Sequence, residues 1–162
     1  MKRFIAFALL LTLLLPLLGC SKGIQDGADF HYCRKEYQYG KDSGVIAPEQ
    51  RDITGHVGDL SFLISLYLMG PLDEDLESPF PKGTKLEVLE FTRHGLHIQL
   101  SPVPDSFTDS EFTLACACLT LTCLEISDKA TFTITSGERS VIMNRNNLIL
   151  WDNTIPETME GE

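Results

Sequence analysis

Cysteines, histidines and one acidic run are the residues whose types and spacing could do chemistry. Cys33, Cys116, Cys118 and Cys123 are four of the five cysteines. The last three fall in one expected helix, where residues 116 and 118 project about 200° apart, so they cannot pair or share a metal within a regular helix. No C-x-x-C occurs. Their first reading is as small buried apolar residues. One disulfide or a metal site are the alternatives. His31 and Cys33 are two apart and share a face on a strand. His94 and His97 flank an expected hairpin turn, but a metal there needs a third ligand. Asp73-Glu74-Asp75 and Glu77 could attract a cation. They lack the alternating ligands and distal bidentate Glu of a calcium loop. Surface histidines and a solvated loop are the simpler readings. The chain has no G-x-S-x-G, S-x-x-K, P-loop, H-E-x-x-H or G-x-G-x-x-G, so no nucleophile, base and orienter are legible together. The expectation is no catalysis, no cofactor and no metal.

The fifth cysteine has a different context. Met1-Lys2-Arg3 is a short positive start, and Phe4 to Leu18 is an apolar run broken only by Thr12 and Pro16. That is short of the about 20 residues a membrane span needs and suits a signal-peptide core. The run ends in Leu17-Leu18-Gly19-Cys20. This resembles the lipobox of bacterial lipoproteins, where the thiol after a small residue is diacylated and the chain is cut before it. Residues 1–19 are expected to be the signal peptide. Cys20 carries the lipid that holds the chain to the outer face of the cell membrane. Residues 20–29, small and polar, form the lipidated cysteine and its tether.

With 162 residues, 43% of them hydrophobic and 22% charged, the chain has a globular composition and is long enough for one core. Its formal net charge is −10, and loss of the leader also removes Lys2 and Arg3. Such a charge argues against nucleic acid and polyanionic partners.

The elements that must position these residues follow from pattern. Asp29 to Tyr39, which holds Tyr32, Tyr37 and Tyr39, reads as a strand. Val45 to Ile53 reads as an edge strand, because Pro48 donates nothing to a ladder. Asp59 or Ser61 can cap a helix whose Leu60, Leu63, Ile64, Tyr67 and Leu68 share a face. Gly70-Pro71 ends it. Leu72 to Gly83 reads as a loop, acidic early and proline-rich late. Thr84 to Phe91 and Leu96 to Leu100 read as strands about a turn at Arg93-His94-Gly95. Thr108 and Glu111 fit a capping box before a helix carrying Phe112, Ala115, Cys116, Leu119 and Cys123. Ala130 to Thr135 and Ser140 to Met143 follow as strands about Ser136-Gly137-Glu138, and Asn147 to Trp151 as a further edge strand. The acidic stretch 152–162 reads as a tail. The fold class is α+β: a single small domain over 30–151, an antiparallel-rich mixed sheet with two helices on one face.

Three stretches carry a family resemblance. They are Val45-Ile46-Ala47-Pro48-Glu49-Gln50-Arg51, then Phe62 to Gly70-Pro71, then Leu76-Glu77-Ser78-Pro79-Phe80-Pro81-Lys82-Gly83-Thr84-Lys85-Leu86. With Leu119-Thr120-Leu121-Thr122 they resemble the GerMN domain family of sporulation and spore-germination lipoproteins in Gram-positive bacteria. The match runs over about residues 30 to 145. The resemblance implies an exported, often lipid-anchored module with a β-α-β-β-α-β core, similar to ring-building domains of secretion-type assemblies. It also implies protein interaction in the envelope rather than catalysis. Its motif residues here are Gly70, Pro71, Ser78, Pro81, Gly83 and Thr84. Where members carry an acidic-aromatic pair before Ser, this chain has Gln99-Leu100-Ser101. The expected partners are the membrane, through Cys20, and other envelope proteins. A ligand- or solute-binding lipoprotein is the alternative, and a domain this small is expected to have little room for a pocket.

Overall fold

The structure, a computed structural model, describes residues 26–38 and 40–148. The leader, Cys20, most of the tether, Tyr39, Trp151 and the acidic tail lie outside them. Two helices and seven strands make up the described residues, and the class is the expected α+β. Strands β1 (Gly27–Arg34), β2 (Ile46–Asp52) and β3 (Leu76–Glu77) form an antiparallel sheet in the order β2-β1-β3. Strands β4 (Leu86–Thr92), β5 (Gly95–Leu100), β6 (Thr131–Ser136) and β7 (Arg139–Asn144) form a second sheet in the order β4-β5-β6-β7. In it β5 and β6 run parallel and the other pairs antiparallel.

The helices form for local reasons. Helix α1 (Leu60–Leu68) starts at Asp59, whose carboxylate accepts from the Phe62 N–H at 3.1 Å. It stops at Gly70, whose φ of +97° suits glycine. Helix α2 (Asp109–Ile126) opens with the expected capping box, the Glu111 carboxylate accepting from the Thr108 N–H at 2.7 Å. A parallel β5–β6 pair requires a crossover, and α2 is that crossover.

One core joins both sheets and both helices. Phe30, Tyr32, Tyr67, Phe112, Leu119, Ile98 and Ile134 are among its fully buried members. Strand β1 meets both helices. Tyr67 of α1 stacks on Tyr32 with ring centroids 4.9 Å apart and planes 9° from parallel, and the Tyr32 hydroxyl donates to the Tyr67 carbonyl at 3.1 Å. From α2, the Thr122 hydroxyl oxygen accepts from the His31 N–H at 2.8 Å and donates to the Cys118 carbonyl at 3.1 Å. A threonine that weakens an isolated helix thus ties this one to the sheet.

Four local expectations change. The strands divide between two sheets, β3 pairing with β1 and β4 with β5, and between β3 and β4 the chain turns, Thr84 bonding back to the Pro81 carbonyl. For the same reason the expected strand from Thr84 begins at Leu86. The first strand ends at Arg34 rather than Tyr39, and the Lys35 N–H bond to the Asp75 carbonyl is the last step of its antiparallel pairing beside β3. Asn147 lies in a turn closed on Asn144 rather than in a strand. Pro48 does lie on an edge strand, β2.

Candidate functional site

The loop from Gly70 to Thr84 is held at its start by two side chains of β2. Glu49 and Arg51 are two apart and so emerge on the same face. They pair through Glu49 Oε1 and Arg51 Nε. The other oxygen, Glu49 Oε2, accepts from the N–H groups of Leu72 and Asp73, both at 2.8 Å. Arg51 Nη2 donates to the Gly70 carbonyl at 2.9 Å. Arg51 is buried, with its guanidinium 5.8 Å from the centroid of the Phe30 ring. A buried charge needs a partner and full hydrogen bonding. Here those needs fix the backbone of the loop.

The rest of the loop is closed on itself. Asp73 Oδ1 accepts from the Asp75 N–H at 2.9 Å, an Asx turn. The Asp75 carbonyl accepts from the Lys35 N–H at 3.0 Å, and β3 then adds Leu76 and Glu77 beside Arg34 and Cys33. Ser78 donates to the Phe80 carbonyl at 3.1 Å, while the Phe80 ring is buried. Thr84 donates from its hydroxyl to the Pro81 carbonyl at 2.8 Å.

Between this loop, the end of α1 and the start of β4 runs an open groove of about 1070 Å³. Gly70, Pro71, Ser78, Gly83 and Thr84 all line it, so the motif residues converge; Pro81 contributes through its carbonyl. Leu68, Leu76, Phe80 and Leu86 give the groove apolar walls, with Asp73, Glu74, Lys82 and Lys85 among its charged residues. Met69 and Leu72 also line it and are 83% and 78% exposed. The Glu49–Arg51 clamp is absent from the sequence expectations. Its one signal is the E-x-R spacing on an edge strand, and nothing local says which loop the pair reaches.

The other candidate residues are dispersed. His31 lies beside Leu121, Leu124 and Glu125. Its Nδ1 is buried without a hydrogen-bond partner among the described residues, and burial lowers its pKa against the opposing pull of Glu125 and Asp29. His97 contacts Thr135 at 3.1 Å, and His94 sits in the β4–β5 turn. Cys33, Cys116, Cys118 and Cys123 are buried free thiols. Burial pushes Cys116 up to about 12 and raises Cys123. Among the described residues no group of three His, Cys, Asp or Glu side chains could hold a metal, and no helix is long and apolar enough to cross a membrane.

No family model matches the chain, and no curated protein matches it. A crystal structure described as "Putative Lipoprotein from Clostridium perfringens" is similar at 15% identity with a TM-score of 0.45, over 79% of this chain and 94% of that one.

Proposed function

We propose that the chain is a lipid-anchored protein of the cell envelope whose domain binds another protein. We further propose that it is GerMN-like and belongs to spore formation or germination as an assembly component, with no catalytic step of its own. The anchor reading rests on Leu17-Leu18-Gly19-Cys20 after an apolar run. The observation that carries the binding reading is the pre-ordered loop. Backbone held by Glu49 and Arg51 loses little freedom on association. Exposed Met69 and Leu72 offer apolar anchors beside the acidic Asp73-Glu74-Asp75, which suits a basic partner carrying an apolar side chain. The test is crosslinking and pull-down from native membranes with wild type and with Met69→Asp/Leu72→Asp. Loss of a wild-type partner in the double variant supports the loop surface, and equal recovery removes it. For the anchor, Cys20→Ser should abolish fatty-acid labelling. Normal labelling of that variant would remove the lipobox reading.

The groove favours a second reading, a ligand-binding envelope lipoprotein. Its volume reaches the range of small-molecule sites, against the expectation that this domain has little room. Native mass spectrometry of protein purified from its own membranes separates the two. A bound small molecule released by Phe80→Trp, which narrows the groove, would favour the second reading.

A further inference from the structure

Cys33 and Cys118 lie 85 positions apart in sequence, yet their Sγ atoms are 4.0 Å apart in the core. Both are buried. Cys33 is at the end of β1, opposite Glu77 of β3, and Cys118 is in the middle of α2. Cys116 projects about 200° away from Cys118 on the same helix, so α2 presents these two thiols in different directions. Disulfide sulfurs sit about 2.05 Å apart. The two thiols are already in van der Waals contact, and a disulfide needs only that the sulfurs close from 4.0 Å to bonding distance. The Cys118 thiol beside Cys33 also favours the Cys33 thiolate, against burial and the charge of Glu77.

We propose that Cys33 and Cys118 form a disulfide that ties β1 to α2 when the chain folds in an oxidising compartment. The proposal rests on the exported reading above, because a reducing compartment keeps such thiols reduced. The oxidant is a disulfide-donating thiol oxidoreductase or an equivalent small disulfide. The Cys33 thiolate attacks one donor sulfur, breaking the donor S–S bond and forming a mixed disulfide. The Cys118 thiolate then attacks Cys33 Sγ, forming the protein S–S bond and expelling the second donor thiolate. Two protein thiols are oxidised, the donor is reduced to two thiols, and the two protons lost by the protein end on the donor. Because Cys33 pairs with β3, the link also holds the sheet that carries the candidate site.

The experiment uses the full chain in detergent, unfolded and refolded in a glutathione redox buffer so that burial does not block the reaction. The non-reduced digest is read by tandem mass spectrometry. The expected product joins Cys33 to Cys118 and is about 2 Da lighter than the two thiols. It also forms in Cys116→Ala and raises the melting temperature by about 5 °C or more over the reduced protein. Alkylatable thiols at both positions, a link from Cys33 to Cys116 or Cys123, or an unchanged melting temperature would each overturn the proposal. The in-vitro result does not depend on where the protein resides. Fatty-acid labelling of Cys20 tests that separately, so the two readings fail independently.

Discussion

Arg51 donates to the carbonyl oxygen of Gly70 across 2.9 Å, joining an edge strand to the residue where α1 stops. The same guanidinium pairs with Glu49, which takes the next two loop N–H groups. Substitution at either end should therefore affect both stability and the loop. Arg51→Met leaves the nearly buried Glu49 carboxylate without its cation and should cost about 3 kcal/mol. Glu49→Gln keeps the shape but loses the charge-assisted bonds and should cost about 1–2 kcal/mol. Hydrogen exchange at the Leu72 and Asp73 amides should accelerate in both. Unaltered exchange would mean the loop holds itself.

Two glycines should respond differently to a side chain. Gly70 has φ +97°, but an added Cβ would meet only Ser78 Cβ at 3.8 Å. Gly70→Val should then cost about 1–3 kcal/mol through backbone strain alone. At Gly95, φ is +146° and the added Cβ would fall 2.0 Å from the Thr131 carbonyl oxygen, at the start of the parallel β5–β6 pair. Gly95→Ala should be the worse of the two, at about 4 kcal/mol or more. Denaturant midpoints decide the order, and equal losses would mean the β5–β6 register shifts to make room.

Charge reversal can separate steering from folding. Asp73 is a poor choice, since its carboxylate closes the turn onto Asp75. Glu74 and Asp75 serve the loop through their carbonyl oxygens. Glu74→Lys/Asp75→Lys should leave the melting temperature within about 1 °C. It should slow association with a basic partner several-fold at low salt and flatten the salt dependence. Association rates that are the same at every ionic strength would place the acidic run outside the encounter surface.

His31 predicts an acid-side loss of stability. Its pKa in the folded chain lies below the ordinary histidine value of about 6.5, chiefly through burial. The unfolded chain therefore takes up the proton first. The contribution is complete above about pH 6.5 and is lost as pH falls through that value toward the folded pKa. His31→Gln should flatten the stability profile between about pH 7 and 5. The loss attached to Glu111, whose pKa is lowered from 4.5 by the Thr108 N–H and hydroxyl, begins below 4.5 and should persist in that variant. An unchanged profile between wild type and His31→Gln would assign the acid limb elsewhere.

What the sequence revealed was mostly local. Asp59, Gly70 and the Thr108–Glu111 box announce helix ends within a few residues, and all behave as such. Pro48 announces an edge for the same reason. Strand β3 has two residues, too few for any period to show. The division into two sheets depends on which strands pair, and strand pattern carries no partner. The loop residues Gly70 to Thr84 were legible as a motif. The Glu49–Arg51 clamp was not, because it crosses some twenty positions from β2 to the loop. The approach of Cys33 to Cys118 spans 85 and leaves no trace in spacing.

The position of β1 also sets the order in which this fold can be assembled. It is among the first described elements to leave the ribosome and is the centre of its sheet, with β2 arriving soon after. Yet its His31 amide and Cys33 side chain find their contacts on α2, 91 and 85 residues later. A nascent chain that ends before Asp109 has Phe30, Tyr32 and Tyr67 in place without the helix that completes their cover. Such long-range closure slows folding and lengthens the time that apolar surface stays open. The N-terminal half is therefore no resting point. The domain closes as a unit only once α2 and the β6–β7 hairpin behind it have arrived, because β5 pairs with β6 and β6 with β7.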